Sequence, residues 1–263
     1  MGLTLIFGVM DVVNFAHGEF LMVAMYATFG LAVVGMQPLL ALPFVAIAMF
    51  VFGAFVYRIF VRRLLEGPPE ATIFGTFGLL VLLQGLAQYL LTSDLRSVNN
   101  LWFTGALHIG SVNIGQSDLV EAAGALAIAI LLYVFIEYTE TGRAMRATSE
   151  DRIAASLMGV DVQRMNLIAW GIGSACVGAA GALLMLTYQV YPRVGSEFAL
   201  TAFVIVALGG FGSIQGAFIG ALLVGLVEVL GGFYLSPSIK LIPVYLLYLI
   251  VVLLRPQGLL GRR

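Results

Sequence analysis

Seven apolar stretches, each near the length of a membrane-spanning helix, are the feature that most constrains how this chain can fold. A helix needs about 20 mainly apolar residues to cross a bilayer. Only 10% of the 263 residues are charged, whereas a soluble domain carries about 25%, so the outer surface has to face lipid. These observations predict an all-α, polytopic transmembrane helix bundle that forms one domain over residues 1–263. The stretches run over about 19–36, 39–58, 71–91, 119–137, 166–188, 213–231 and 241–254.

Basic residues are distributed unequally between the connections, and this asymmetry predicts the orientation. Connections rich in Lys and Arg stay in the cytoplasm, so residues 59–70, the loop at about 138–165 and the C-terminus are expected there. The loop 92–118 is expected outside, with a short strand pair or an amphipathic segment. The cytoplasmic side would carry Arg58, Arg62, Arg63, Arg143, Arg146, Arg152, Arg164, Arg255, Arg262 and Arg263, and the outer side Arg96, Arg193 and Lys240.

Two regions share an unusual layout, in which a short apolar run is followed by a polar or glycine-rich break and a longer apolar run. The short runs are 2–10 and 199–208, and the breaks contain "NFAHGE" and "FGSIQG". Backbone that leaves a helix inside a membrane has to be buried in protein or line a wet cavity, and such breaks mark substrate pathways in transporters. The pattern predicts interrupted or re-entrant helices in two related halves. The candidate pathway residues are Asn14, His17, Glu19, Gly209, Gly210, Gly212 and Ser213.

Plainer interpretations of these residues stay open. Residues 11–18 could form a cytoplasmic turn, with Asn14 and Glu19 serving helix ends. "GGFGS" could be a tight turn that uses the freedom of glycine at positive φ. Glu228 stands alone in an apolar stretch, where it either faces the bundle interior with a partner or reaches the outer interface. Gly212, Gly216 and Gly220 recur at a spacing typical of close helix packing.

The sequence offers no chemistry of its own to drive a reaction. It contains no Walker-type phosphate-binding motif, no His/Cys metal cluster and no convincing nucleophile–base pair. The single cysteine, Cys176, excludes a disulfide within the chain. We therefore expect a protein that is not an enzyme and that binds no metal, cofactor or nucleic acid.

The cytoplasmic loop contains a predicted short amphipathic helix at 149–160. Ser149 is the expected N-cap, with Glu150 and Asp151 in the first turn, where the helix dipole favours anions. Ile153, Leu157 and Val160 would share one face at helical spacing, and Gly159 would end the helix. Such a helix either lies on the membrane interface or docks in a groove of a cytosolic partner.

Three blocks of the sequence resemble a known family: "GLTLIFGVMDVVNFAHGEFLMVAMYA", "GRAMRATSEDRIAASLMGVDVQRMNLIAWGIGSACVGAAGALL" and "TAFVIVALGGFGSIQGAFIGALLVGLVE". They are similar to the membrane permease of bacterial branched-chain amino-acid ABC importers, in particular its LivH-type subunit. The resemblance implies a multi-pass protein of the bacterial cytoplasmic (inner) membrane. Its expected partners are a second permease subunit (LivM-type or identical), two cytosolic subunits that bind and hydrolyse ATP, and an extracytoplasmic solute-binding protein.

The resemblance also assigns roles to residues of the cytoplasmic loop. The 149–160 helix would be the coupling element that inserts into an ATPase subunit. Ala154, Ala155 and Gly159 keep the A-A-x-x-x-G spacing of the family signature, whereas Ile153 takes the place of its Glu. Glu150 or Asp151 would supply that charge. The full set of candidate coupling residues is Glu150, Asp151, Arg152, Ala154, Ala155 and Gly159.

Two further points follow from the resemblance. Family members usually carry about half a helix before "GLTLIFGVM", so either the start at Met1 is misassigned, the sequence is trimmed, or the first span is short. If Met1 is the true start, we expect an incomplete first span. Related urea permeases share versions of the same blocks, so the solute stays open between a branched-chain amino acid, another amino acid and urea.

The first hypothesis is therefore an import permease that works by alternating access, driven by partner ATPases. The second is a carrier driven by an ion gradient, with Asp11, His17, Glu19 and Glu228 as buried proton or cation sites. The third hypothesis is a scaffold or enzyme subunit that transports nothing. A scaffold does not explain why the sequence has two matched breaks.

Overall fold

The computed structural model describes residues 1–98, 102–103, 105–109 and 112–261. Within these residues the chain is a bundle of helices with one small hairpin, which confirms the all-α transmembrane prediction. The helices are α1 (Gly2–Met10), α2 (His17–Val33), α3 (Pro38–Val56), α4 (Arg62–Leu64), α5 (Pro69–Leu91), α6 (Gln116–Tyr138), α7 (Glu140–Glu150), α8 (Arg152–Leu157), α9 (Val162–Leu184), α10 (Val194–Gly209), α11 (Ile214–Tyr234) and α12 (Leu241–Leu254). A π-helical turn (Tyr57–Val61) joins α3 to α4, and a 3-10 turn (Pro237–Ile239) precedes α12.

Two apolar helices are too short to cross a bilayer straight. Among the described residues six helices are long and apolar enough to do so: Pro38–Leu64, Glu70–Leu91, Gln116–Tyr138, Val162–Leu184, Ile214–Tyr234 and Pro237–Leu254. By contrast, α2 has 17 residues and α10 has 16. The expected span 19–36 was therefore too long at its C-terminal end. Gly35, at φ 92°, ends α2, and the Met36 N–H donates to the Leu31 carbonyl at 3.0 Å, as in a glycine C-cap.

Helix α9 occupies the centre of the bundle, where it packs against α1, α2 and α3. Its glycines permit the close approach, because a side chain at Gly173 would collide with α1 at Gly2, and one at Gly178 with α3 at Met49. Trp170 on the same helix is fully buried. Small residues at helix contacts are the usual way for membrane helices to associate, so α9 forms the scaffold on which the shorter α1 and α2 rest.

Helices α10, α11 and α12 form a second, smaller packing group. Gly216 and Gly220 on α11 face Gly209 and Ile205 of α10, so these two glycines do form the predicted packing seam. Gly212, the third member of that pattern, instead lies in the turn before α11. The buried residues of this group are Val204, Leu208, Val224 and Val244.

The two predicted sets of basic residues lie at opposite ends of the bundle. At the arginine-rich end, the Arg152 guanidinium reaches the last turn of α1, and Gly210 lies against the backbone of Gly261. At the other end, Arg96 pairs with Val190 as an isolated β-bridge, and Lys240 pairs with Glu228 at 2.6 Å. Arg262 and Arg263 lie outside the described residues.

The loop between α5 and α6 contains a strand pair. Strand β1 (Ala106–Ile109) runs antiparallel to β2 (Val112–Gly115), with Leu107 opposite Ile114 and His108 opposite Asn113. This confirms the first of the two structures expected for the loop. The hairpin leads directly into α6 at Gln116.

Candidate functional site

The first break is a buried interruption between two helices. Helix α1 ends at Asp11, which adopts left-handed backbone angles (φ 58°), and residues 11–16 are not helical. Asp11 alone among them is exposed, whereas Asn14 is fully buried. The Asn14 side-chain oxygen accepts a hydrogen bond from the Ala16 N–H at 3.0 Å. An exposed cytoplasmic turn is thus the wrong description of this segment, because most of its backbone is enclosed by protein.

His17 and Glu19 lie in the first turn of α2 rather than in the break itself. His17 is 8% exposed, and its Nδ1 has no hydrogen-bond partner within the described residues. Glu19 is completely buried. The residue before the helix, Ala16, offers no side chain to cap its first turn. Helix α2 therefore begins inside the protein with two buried polar side chains.

Glu19 belongs to a polar cluster that joins three helices, and we call Glu19, Gln84 and Ser196 the Glu19 cluster. Oε1 of Glu19 accepts hydrogen bonds from Gln84 Nε2 at 2.9 Å and from Ser196 Oγ at 3.0 Å. Gln84 Nε2 is also 2.6 Å from Ser196 Oγ. Oε2 of Glu19 has no hydrogen-bond partner in the described part of the chain. Both partner residues are neutral, and both are half-buried.

The cluster forms where the first turns of α2 and α10 meet. Gly18 and Gly195 are in direct backbone contact, and a side chain on Gly195 would lie 2.9 Å from Oε2 of Glu19. Like α2, α10 starts without a side-chain cap, since its N-cap residue is Arg193. An apolar cavity of about 250 Å³ borders the first turn of α2 at Gly18 and the second turn of α10 at Ala199.

A tyrosine fastens the segment before α10 to the first turn of that helix. The Tyr191 hydroxyl donates a hydrogen bond to Glu197. Burial, together with the hydrogen bond to Glu197 and its negative charge, raises the pKa of Tyr191 to about 12. The contact helps to fix where α10 begins, and therefore where Ser196 lies.

The second break is a tight turn at the arginine-rich end. Gly210 (φ 102°) and Gly212 (φ 79°) have backbone angles that favour glycine. Ser213 caps α11, because its Oγ accepts a hydrogen bond from the Gly216 N–H at 3.0 Å. The turn packs on α1, with the rings of Phe7 and Phe211 4.5 Å apart. Gly210, Gly212 and Ser213 thus have structural roles that account for their presence in the turn.

The candidate pathway residues thus form two groups at different depths. Helix α10 separates Gly195, beside Glu19, from Gly209, a distance of about 20 Å at 1.5 Å per residue. Gly212 and Ser213 instead border a cavity of about 650 Å³ that Asp11 also lines. Asn14, His17 and Glu19 do not line that cavity. The sequence missed Gln84 and Ser196, although the lone Gln84 in "LLVLLQGLA" was a detectable signal.

The predicted 149–160 helix is wrong at its start. Ser149 and Glu150 end α7, and Ser149 donates back to the Arg146 carbonyl at 2.7 Å. Asp151 is the true N-cap of α8, because its Oδ1 accepts from the N–H groups of Ile153 and Ala154 at 2.8 and 2.9 Å. An aspartate side chain reaches these donors better than an upstream serine can, so it ends one helix and begins the next.

The exposed surface of α8 is apolar. Ile153 is 75% exposed and Leu157 is 83% exposed, whereas Ala155 is buried. Val160 packs against the core instead of sharing their face, so that part of the prediction is also wrong. Gly159 (φ 87°) ends the helix as expected. The Val160 N–H donates to the Ala155 carbonyl at 3.0 Å, which completes a glycine C-cap.

One hydrogen bond connects α8 to the first break. The Arg152 guanidinium donates to the Val9 carbonyl at 3.3 Å, in the last turn of α1. Carbonyls in the last turn of a helix lack intrahelical partners, so a cation there is favourable. Of the remaining candidate coupling residues, Ala154 is exposed beside Ile153. Among the described residues, no group of His, Cys, Asp and Glu is arranged to hold a metal ion.

Comparison with known proteins gives the same classification along the whole chain. The profile of a family described as "Branched-chain amino acid transport system / permease component" matches residues 1–254. The chain belongs to this family. With six long apolar helices in the described part of the chain, this member of the permease family is a multi-pass membrane protein.

Several curated members of the permease family are similar over their length. The high-affinity branched-chain amino acid transport system permease protein LivH of Escherichia coli (strain K12) is 32% identical over 278 residues, which span 100% of this chain and 90% of LivH. BraD of Pseudomonas aeruginosa, described in the same words, is 30% identical over 276 residues with the same coverage. LivM of Escherichia coli (strain K12) is 34% identical over 121 residues, 45% of this chain and 28% of LivM. No solved structure matches the chain.

Proposed function

We propose that this chain is the membrane-spanning permease subunit of an ABC importer for branched-chain amino acids. It would receive solute from an extracytoplasmic binding protein and release it to the cytoplasm by alternating access. The observation that carries this proposal is the similarity to LivH and BraD over 100% of the chain. A similarity confined to one motif would support membership of the family but not the role of a LivH-type permease subunit.

The exposed surface of α8 supports the docking of a partner subunit that supplies the energy for transport. Ile153 and Leu157 are mostly exposed on a short helix at the arginine-rich end, where neither the core nor another described helix covers them. An apolar helix face fits a groove on a cytosolic protein. We propose that one of two ATP-binding subunits docks there, that the other docks on the second permease subunit, and that both hydrolyse ATP, while this chain binds no nucleotide itself.

The hydrogen bond between Arg152 and Val9 supports a path by which a movement of α8 reaches the first break. Because α8 is hydrogen-bonded to the end of α1, a displacement of α8 would be transmitted to the break at 11–16. Rigid helices that move around such breaks are a common way to alternate access. In this proposal the Glu19 cluster lies along the solute path, and Gly212 and Ser213 border its cytoplasmic opening with Asp11.

The remaining partners and the orientation are also proposed. The partial similarity to LivM favours a second permease subunit of that type over an identical copy. The excess of arginines at the α8 end supports a cytoplasmic location for that end and for the C-terminus. The membrane would be the bacterial cytoplasmic (inner) membrane.

Reconstitution tests the proposal directly. The complete complex in proteoliposomes, with a saturating binding protein, should take up leucine, isoleucine or valine only when ATP is present on the α8 side. Vanadate should stop this uptake. Uptake that needs a proton or sodium gradient instead of ATP would overturn the proposal in favour of the ion-coupled carrier, and ATP-dependent uptake of urea alone would overturn the solute assignment.

A further inference from the structure

We propose that the meeting point of the first turns of α2 and α10 is a binding site for a small zwitterion, whose ammonium group binds Glu19 and whose carboxylate binds the uncapped helix starts. The inference rests on the proposed function and deepens it, because it names the solute class that the permease itself recognises.

The carboxylate of Glu19 provides the cation-binding half of the site. It is completely buried in a membrane-spanning bundle, where an ionisable group needs a partner. Its two hydrogen-bond partners are neutral and share one oxygen. The other oxygen has no partner within the described residues. A primary ammonium would supply both a counter-charge and the missing hydrogen-bond donor.

The two helix starts provide the anion-binding half. The first N–H groups of a helix lack intrahelical partners and carry a partial positive charge. Neither α2 nor α10 has a side-chain cap. Backbone carbonyls accept hydrogen bonds from the N–H groups of His17 and Glu19 in α2 and of Val194 and Ser196 in α10. Within the described residues, this leaves the N–H groups of Gly18 and Gly195 for a ligand. Since Gly18 and Gly195 touch, the two positive ends are side by side. Half-helix starts that meet within a membrane are suited to a solute carboxylate.

The cation-binding carboxylate and the anion-binding helix starts lie next to each other. A solute that carries both charges, a zwitterion, therefore fits the site best. Oε2 of Glu19 points to Gly195 in the first turn of α10, so negative and positive groups alternate over the length of one amino-acid backbone. Gln84 and Ser196 are half-buried and close the site on the α5 side, so a solute would enter by displacing the Gln84 amide. The apolar cavity beside Gly18 and Ala199 would hold an aliphatic side chain. Urea carries neither charge.

Thiol protection tests binding without relying on transport. The chain has one cysteine, so the complete complex carrying Cys176→Ala gives a thiol-free background in this subunit. In that background, Ala202→Cys, at a half-buried position that borders the apolar cavity and lies outside the Glu19 cluster, is labelled with a membrane-permeant maleimide in the presence of leucine, its 2-oxo acid, leucinamide or urea. We expect leucine to slow labelling severalfold and the other three to have little effect. Ser238→Cys, on the exposed turn before α12, is the control and should be labelled at one rate throughout.

Substitution of Glu19 provides the second test. Glu19→Gln should abolish protection by leucine and lower uptake by about tenfold or more, because a buried charge partner is removed. Glu19→Asp should restore part of both. Glu228→Gln is the matched control and should change neither. If Glu19→Gln does not assemble, Gln84→Ala, at a half-buried position, should assemble and strengthen protection by leucine, because the solute no longer has to displace the Gln84 amide from Glu19; weaker or unchanged protection would overturn the inference.

The outcomes separate the inference from the proposed function. A wild-type complex that takes up no amino acid overturns the proposed function. A complex that transports leucine while leucine leaves the thiol unprotected overturns the inference alone. Equal protection by urea and leucine, or full protection in Glu19→Gln, overturns the zwitterion assignment.

Discussion

Gly18 and Gly195 are in backbone contact, and a methyl group on either residue would overlap the carbonyl oxygen of the other. The two glycines are far apart in the sequence, and each lies in the first turn of a short helix. Their contact brings Ser196 within 3.0 Å of Glu19. The Glu19 cluster therefore depends on two positions that carry no side chain at all.

Gly195→Ala should destabilise the protein, because the new methyl group has no space against the α2 backbone. Overpacking of this kind costs about 1–3 kcal/mol. The measurement is thermal unfolding of the purified protein, followed by the reaction of Cys176 with a thiol-reactive dye. Gly225→Ala on α11, where a Cβ meets nothing within 4 Å, is the control. An equal melting temperature for both variants would contradict the contact.

Ile153→Asp should prevent the ATPase subunits from binding while the permease stays folded. The side chain is 75% exposed, so the substitution adds a charge to a surface rather than to the core. Co-purification of the ATPase subunits and thermal unfolding are measured together. Leu95→Asp, at a 64% exposed position at the opposite end, should leave the complex intact. Retention of the ATPase subunits by Ile153→Asp would refute α8 as their docking surface.

Arg152→Gln should weaken the link between ATP hydrolysis and transport. The variant loses the charged donor to the Val9 carbonyl, and coupling interactions of this kind change a process by about 0.5–2 kcal/mol. We expect fewer leucine molecules transported per ATP hydrolysed, with the complex still assembled. Arg164→Gln, also exposed and at the same end, serves as the control. An unchanged ratio of transport to hydrolysis would show that this contact transmits nothing.

Glu228→Gln should have little effect on stability or uptake. Glu228 pairs with Lys240 at 2.6 Å, but the side chains are 28% and 43% exposed. Such a pair contributes less than about 1 kcal/mol. Chemical denaturation and leucine uptake are the measurements, with Lys240→Met as the companion variant that removes the other charge. Loss of uptake in Glu228→Gln at normal stability would favour the ion-coupled carrier.

The sequence was informative where a single segment decides its own structure. The long apolar stretches, the break after Met10 and the helix end at Gly159 were all predicted from local composition, and so was the strand pair as one of two options. Errors arose at boundaries where two local signals compete. Ser149 and Asp151 are both good N-caps, and only the hydrogen bonds show that Asp151 begins α8.

The candidate pathway residues show more clearly what a sequence pattern cannot predict, namely which residues lie close together. The sequence singled out Asn14, His17 and Glu19 because polar residues are costly in an apolar segment, and all three are buried. It paired them with Gly209, Gly210, Gly212 and Ser213 through a similarity of layout. The structure places Glu19 beside the start of α10 and the glycine turn directly after its end, because similar patterns indicate similar local geometry and not proximity.

What the sequence by itself determined is the environment and the list of spans, since hydrophobicity and helix length are properties of each segment alone. Only the tertiary structure decided which segments meet. The contact between α2 and α10 depends on the absence of side chains at Gly18 and Gly195, and it brings Ser196 to Glu19. The packing of α5 against α2 brings Gln84 to the same carboxylate. No local pattern encodes that meeting, because its energy comes from groups more than sixty residues apart in the chain.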